Sequence, residues 1–302
     1  MSKTFRQIQC IHSGYTTIQL YPTPATYRGQ KDKGTTSPDK LAAIAKNNDK
    51  IARRNFICYI LENFTPDDYC VTLTFPSEMQ DEERYREVQR CIERLRNLYK
   101  KYESELKFIH VWGRGEQQGM LHCHMLINND AFIAYKDILA SANKYNNKVH
   151  KSEHHFHMQR IGQKYTGRSK VETMKSTCYY LIKHWDTINP KDDELIKRRW
   201  YKSNNIKRPL IRRYSERFGE ADSLAISPSE MMKILFRARR NGNLEETIEK
   251  LFPEYKLLPN SQINFYHDKM DFWRFDAELI RKGSPLDESV KNQKTDDIER
   301  LP

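Results

Sequence analysis

No apolar run in this sequence approaches the roughly 18 residues that a membrane-spanning helix needs, and the opening residues, Met1 to Cys10, are already polar. The apolar middle of a secretory leader is missing from that stretch as well, so the chain is expected in the cytoplasm with no membrane partner. Paired cysteines are also lacking. The six cysteines, Cys10, Cys58, Cys70, Cys91, Cys123 and Cys178, are scattered without a Cys-x-x-Cys. That excludes a zinc finger, and several fall at apolar-patterned positions and are expected as buried thiols. No internal repeat is present. Acidic charge is in short supply: 52 Lys and Arg face 40 Asp and Glu, a formal net charge of +12. Between Lys197 and Arg213 there are eight Lys or Arg, no acidic residue, and two aromatics, Trp200 and Tyr201. Phosphate contact combined with base stacking calls for this mixture, which makes Lys197, Arg198, Arg199, Trp200, Lys207 and Arg208 candidate nucleic-acid contacts. The plain alternative is a solvated basic loop.

What is present can build a core, since 38% of 302 residues are hydrophobic. Residues 1–66 read as a polar N-terminal arm with one helix, Pro38 to Leu61, entered from the loop Tyr27–Ser37. Tyr69-Cys-Val-Thr-Leu-Thr-Phe75 is rich in β-branched and aromatic residues and stops at Pro76, which predicts a strand. From Asp81 to Tyr102, Tyr85, Val88, Ile92, Leu95, Tyr99 and Tyr102 recur at three- and four-residue steps, the period of a helix with one buried face. Strands follow around 106–112 and 121–127, then a short helix from Ala131 to about Ala142, a strand near Glu153–Ile161, and a helix from Val171 to Trp185 that Asn189-Pro190 ends. A basic and helical region over 187–283 contains a helix pair joined by Asn241-Gly242-Asn243, and the polar residues 284–302, including Asp287 and Glu288, are expected as a disordered tail.

Chemistry concentrates at two points. His122-Cys123-His124 lies on an alternating segment preceded by Gly113, Gly115 and Gly119, the sign of a hairpin. Alternate strand residues share a face, so His122 and His124 present two imidazoles side by side, half of a metal site. A satisfied core pair is the bland reading. A second pair, His155 and His157, with His150 and His154 nearby, competes with the first but lacks the glycine turn. The other point is Tyr179-Tyr180-Leu181-Ile182-Lys183. On a helix Tyr180 and Lys183 are about 60° apart, off the apolar stripe, and Tyr179 to Lys183 is also an allowed spacing. An ammonium beside a tyrosine favours the phenolate nucleophile, although the spacing alone is weak evidence.

Order makes the combination specific. A strand Thr72-Leu73-Thr74-Phe75, a helix, a strand bearing His-apolar-His, and a helix bearing Tyr-x-x-Lys resembles the ordered motifs of rolling-circle replication initiators in the HUH endonuclease superfamily. The resemblance covers about residues 68–186, and Arg199-Trp-Tyr-Lys-Ser-Asn-Asn-Ile-Lys-Arg-Pro209 is similar to a stretch that follows the tyrosine helix in some plasmid and phage initiators. Conjugative relaxases carry the tyrosine before the histidines, so the order here resembles initiators. The resemblance implies an α+β fold with a central antiparallel sheet and packed helices, a catalytic domain at 67–186, and metal-dependent nicking and religation of single-stranded DNA through a 5′-phosphotyrosine. It further implies that His122 and His124 hold a divalent metal, Mg or Mn, that Tyr180 is the nucleophile because it fits the Tyr-apolar-x-Lys pattern, with Tyr179 as the alternate, and that Lys183 assists. Implied partners are single-stranded DNA at a replication origin, a hairpin among its forms, and host helicase and polymerase. Many relatives carry a third ligand, a glutamate nine residues before the first histidine; that position is Gly113 here, and Glu116 is the nearest substitute, His110 having the wrong strand parity. A transposase-like strand transferase and a DNA-binding repressor with a decayed site are the readings that share these motifs.

Overall fold

The computed structural model describes residues 3–22, 37–115, 119–143, 155–164, 167–189, 193–216, 225–258, 263–267 and 272–287. The fold is α+β, but it contains two antiparallel sheets where one central sheet is expected from sequence. They belong to two compact units, Asn63–Lys207 and the combination of Met1–Glu62 with Arg208–Pro302.

The first unit carries the sheet β6-β3-β5-β4-β7, built from β3 (Tyr69–Thr74), β4 (Phe108–Arg114), β5 (Leu121–Ile127), β6 (His155–Arg160) and β7 (Tyr201–Lys202). Its register sets His122 opposite Gly113, and His124 opposite both Val111 and Thr72. Helix α2 (Asp81–Lys101) buries Val88, Cys91, Ile92, Leu95 and Tyr99 against Leu121, Cys123, Met125 and Ile127, the odd-numbered side chains of β5. Acidic residues in its first turn and Lys100 and Lys101 in its last complement the helix dipole. The even-numbered side chains of β5, His122 and His124 among them, face the other way. There α5 (Lys170–Trp185) packs against β4. A capping box starts α5: the Ser169 hydroxyl accepts from the Glu172 amide and the Glu172 carboxylate accepts from the Ser169 amide. Its buried stripe, Val171, Met174, Cys178, Leu181 and Trp185, is the one the helical spacing predicts. The short helices α3 (Tyr135–Ala142) and α4 (Ile161–Lys164) complete the unit.

His110 points into the α2 side of the sheet, 3.6 Å from Cys123 Sγ and stacked on Tyr201 at a 4.9 Å centroid distance. Burial pushes its pKa down to about 3. Below the ordinary value near 6.5 the unfolded chain therefore binds a proton that the folded chain refuses. Stability is full above that pH and falls by up to about 1.4 kcal/mol per pH unit on acidification toward pH 3. His110→Phe is expected to flatten this dependence in denaturant titrations run across that window; an unchanged slope would assign the acid sensitivity to other groups.

The second unit departs from the expected arm. Residues within 1–66 form two strands, β1 (Lys3–Gln9) and β2 (Tyr15–Pro22), besides α1 (Pro38–Asn63). Both strands sit inside the sheet β10-β11-β2-β1-β8, with β9 paired to β11. The partners are β8 (Leu210–Ser215), β9 (Tyr255–Leu257), β10 (Ile263–His267) and β11 (Phe272–Arg281), so the C-terminal region is not purely helical. Helices α6 (Pro228–Arg240) and α7 (Leu244–Leu251) pack Met231, Met232, Leu235 and Ile248 on Phe5, Ile18, Leu20 and Phe275. Gly14 turns the β1–β2 hairpin at φ +79°, and an added Cβ would fall 2.3 Å from the Ser284 side chain. The expected polar tail also changes: Asp287 is buried and ion-paired with Lys256 at 2.5 Å. Residues 288–302 lie outside the described residues. Among the described residues no helix is long and apolar enough to cross a membrane.

Candidate metal centre and tyrosine

On the α5 side of the first sheet, strand register and helix period bring three imidazoles together. His122 and His124 come from β5 by alternation, and His184 comes from the last turn of α5. One nitrogen from each lies within 4.8 Å of the others, so the triad could hold a metal ion. The ring nitrogens differ in their partners. His122 Nδ1 is 3.3 Å from the Met120 carbonyl, to which its N–H donates, leaving the Nε2 lone pair facing His184 Nδ1 at 3.1 Å. Two ring nitrogens at that distance share either a proton or a cation. His124 Nδ1 meets the Thr72 hydroxyl at 3.1 Å, while His124 Nε2 is buried with no hydrogen-bond partner. Such an orphaned nitrogen is costly unless something binds it, which fits a metal ligand whose other nitrogen is fixed by a hydroxyl. Burial first, then repulsion from His184, His122 and Lys164, pushes the His124 pKa down to about 2. Burial lowers that of His122 as well. Both rings are therefore neutral near neutral pH, the state that ligates.

Tyr180 stands one helical turn before His184. Its hydroxyl is 3.3 Å from His124 Nδ1, and its ring centroid is 4.6 Å from that of His184. Tyr179, one residue earlier, is 56% exposed on another face. Lys183 is exposed on α5. The ammonium over the Tyr180 ring belongs to Lys164 of α4, 3.2 Å from the centroid, with its pKa lowered by burial. Sequence reasoning missed both His184 and Lys164.

Gly113 explains how His184 enters. A Cβ at that position would lie 2.9 Å from His122 Nε2 and 3.1 Å from both Cβ and Nδ1 of His184. The bare backbone of β4 leaves the space that the imidazole fills. Just beyond, the Arg114 amide donates to Thr187 Oγ1 at 2.7 Å, and that hydroxyl donates to the His184 carbonyl at 2.7 Å, tying the strand end to the end of the helix. Arg114 itself pairs with Asp81 and Asp193 at 2.8 and 3.0 Å. Glu116, the expected substitute ligand, lies outside the described residues, as do His150 and His154. His155 and His157 are on β6 opposite Thr74 and Thr72, and His157 is exposed.

Of the basic segment, Lys197, Arg198, Arg199 and Lys207 are exposed in this unit and Trp200 is half-buried. The Lys197 ammonium donates to the Asp193 carbonyl at 2.8 Å, and the Arg199 guanidinium lies 5.7 Å from the Trp185 ring centroid. Arg208 begins the other unit.

Residues 68–187 match the family model of the replication-associated protein ORF2. The match runs from the entry of β3 through α5, the elements that bear both histidines of the strand, Tyr180 and His184. Neither the curated proteins nor the solved structures contain a match to the chain.

Proposed function

We propose that the 68–187 region is an HUH-type endonuclease centre that starts rolling-circle replication by nicking and rejoining single-stranded DNA, with Tyr180 as nucleophile. One observation carries the reading: within a segment similar to replication-associated proteins, the Tyr180 hydroxyl lies 3.3 Å from a histidine of a three-imidazole cluster. A divalent ion held by the imidazoles would neutralise the scissile phosphate and orient it for in-line attack. The Tyr180 oxygen then bonds to phosphorus as the bond to the 3′-oxygen breaks. The phenolic proton is released to solvent, and the departing oxygen takes one up to become a 3′-hydroxyl. The resulting 5′-phosphotyrosine keeps the energy of a phosphodiester, so a later 3′-hydroxyl can reverse the step without ATP. Lys164 over the ring favours negative charge on the attacking oxygen. Lys183, exposed on the same helix, is assigned a helping role toward the DNA phosphate.

Incubation with single-stranded DNA from the chain's own replicon and manganese is expected to give a protein–DNA adduct that survives denaturing electrophoresis. Failure to form one with any replicon strand would sink the proposal. The basic segment is assigned to backbone phosphates outside the reacting centre. Replacing Lys197, Arg198 and Arg199 by Gln is expected to weaken binding at all sequences and to reduce the salt slope by about 0.7 for each phosphate no longer neutralised. Unchanged affinity and slope would make the segment a solvated loop.

A further inference from the structure

We infer that this centre binds its metal through three imidazole nitrogens and no carboxylate, with His184 as the third ligand, and that it therefore selects a first-row transition ion over magnesium. The inference deepens the proposed nicking centre and rests on that reading for the metal's purpose.

Three observations carry it. His122 Nε2 and His184 Nδ1 face each other at 3.1 Å, and His124 Nε2 is buried without a partner. Among the described residues, the only group of His, Cys, Asp or Glu gathered closely enough to hold an ion is His122, His124 and His184. Gly113 removes the side chain that would otherwise occupy the place of His184. Donor chemistry supplies the selectivity. Magnesium is a hard ion that dehydrates reluctantly and takes carboxylate, phosphate and water oxygens, whereas imidazole suits manganese, cobalt, nickel and zinc with rising affinity. Three neutral rings bring no negative charge to offset the dehydration of magnesium. The expectation of Mg or Mn is thereby narrowed to manganese and its heavier neighbours.

The position of His184 adds a positioning role. It lies one turn beyond Tyr180 on α5, while His122 and His124 lie on β5. Occupancy of the triad therefore joins strand to helix beside the phenol.

Titration of the full chain with metal alone tests this without DNA. Cobalt should saturate the wild-type chain, with visible absorption bands that mark nitrogen ligation, and zinc should displace it; magnesium should neither saturate the site nor compete at a hundredfold excess over cobalt. His184→Ala should weaken cobalt binding by about a hundredfold, the scale of losing a ligand or its support, while Glu116→Gln and His157→Ala leave it unchanged. Because His184→Ala alters packing, the double variant Gly113→Glu with His184→Ala is the second measure. A carboxylate in the vacated space should raise magnesium affinity relative to cobalt by at least about tenfold. Magnesium binding comparable to cobalt, equal weakening by Glu116→Gln, or no shift in the double variant would each overturn the inference. A chain that binds cobalt through His184 but forms no DNA adduct would refute the nicking and keep the metal assignment; adduct formation with an unperturbed cobalt titration in His184→Ala would do the reverse.

Discussion

Tyr180→Phe leaves single-stranded DNA binding within about twofold of wild type and lowers adduct formation by at least about a thousandfold, because only the attacking oxygen is removed. The ring stays, so its packing beside His124 and His184, at centroid distances of 5.0 and 4.6 Å, is kept. Tyr179→Phe changes neither quantity, since that side chain is 56% exposed away from the imidazoles. Electrophoresis of adducts formed with labelled DNA reads both variants. An adduct that persists in Tyr180→Phe and vanishes in Tyr179→Phe would move the nucleophile by one residue.

The second large effect belongs to His124. His124→Ala removes a buried ring that contacts Thr72, Tyr180 and the other two imidazoles, and metal-dependent nicking should fall by about a thousandfold or more. Thr72→Val is a milder version. It keeps shape but deletes the hydroxyl 3.1 Å from His124 Nδ1, and metal affinity should drop by about 10- to 100-fold. His155→Ala and His157→Ala should nick normally. Equal losses for the β6 and β5 histidines in a manganese titration of nicking rate would mean that the centre extends across the sheet to β6.

Much of the first unit is legible in the sequence because its elements have strong periods. The α2 stripe, the alternation of β5 and the α5 stripe each bury one face, and each falls where spacing predicts. The pairing of His122 with His124 follows from that alternation. Choosing between Tyr179 and Tyr180 does not follow from spacing, because both fit a helix with Lys183; exposure separates them. His184 was legible in principle, since it stands four residues after Tyr180 on the same helix. What hides its role is that the complementary signal is an absence, the missing side chain at Gly113 on a strand far away in sequence. Lys164 approaches Tyr180 from a four-residue helix with no periodicity to read.

The second unit was illegible for a different reason. β1 and β2 are crowded with polar residues on a sheet covered by helices, so hydrophobic alternation is obscured. Their polar groups are satisfied from far along the chain. Gln19 donates to Asp276, 257 residues away, and the Tyr15 hydroxyl donates to Glu278, 263 residues away. Hydrogen bonding of that kind makes a buried strand look like a solvated arm to any reading of local pattern. For the same reason the acidic Asp287 reads as tail but closes an ion pair with Lys256.

The most direct test of the central claim is mass spectrometry of the adduct after nuclease trimming and trypsin. Cleavage after Lys175 and Lys183 yields a peptide, residues 176–183, that contains both tyrosines. Fragment ions carrying a nucleotide 5′-phosphate on Tyr180 are the predicted result. The same mass on Tyr179, or an adduct on any other residue, would contradict the account.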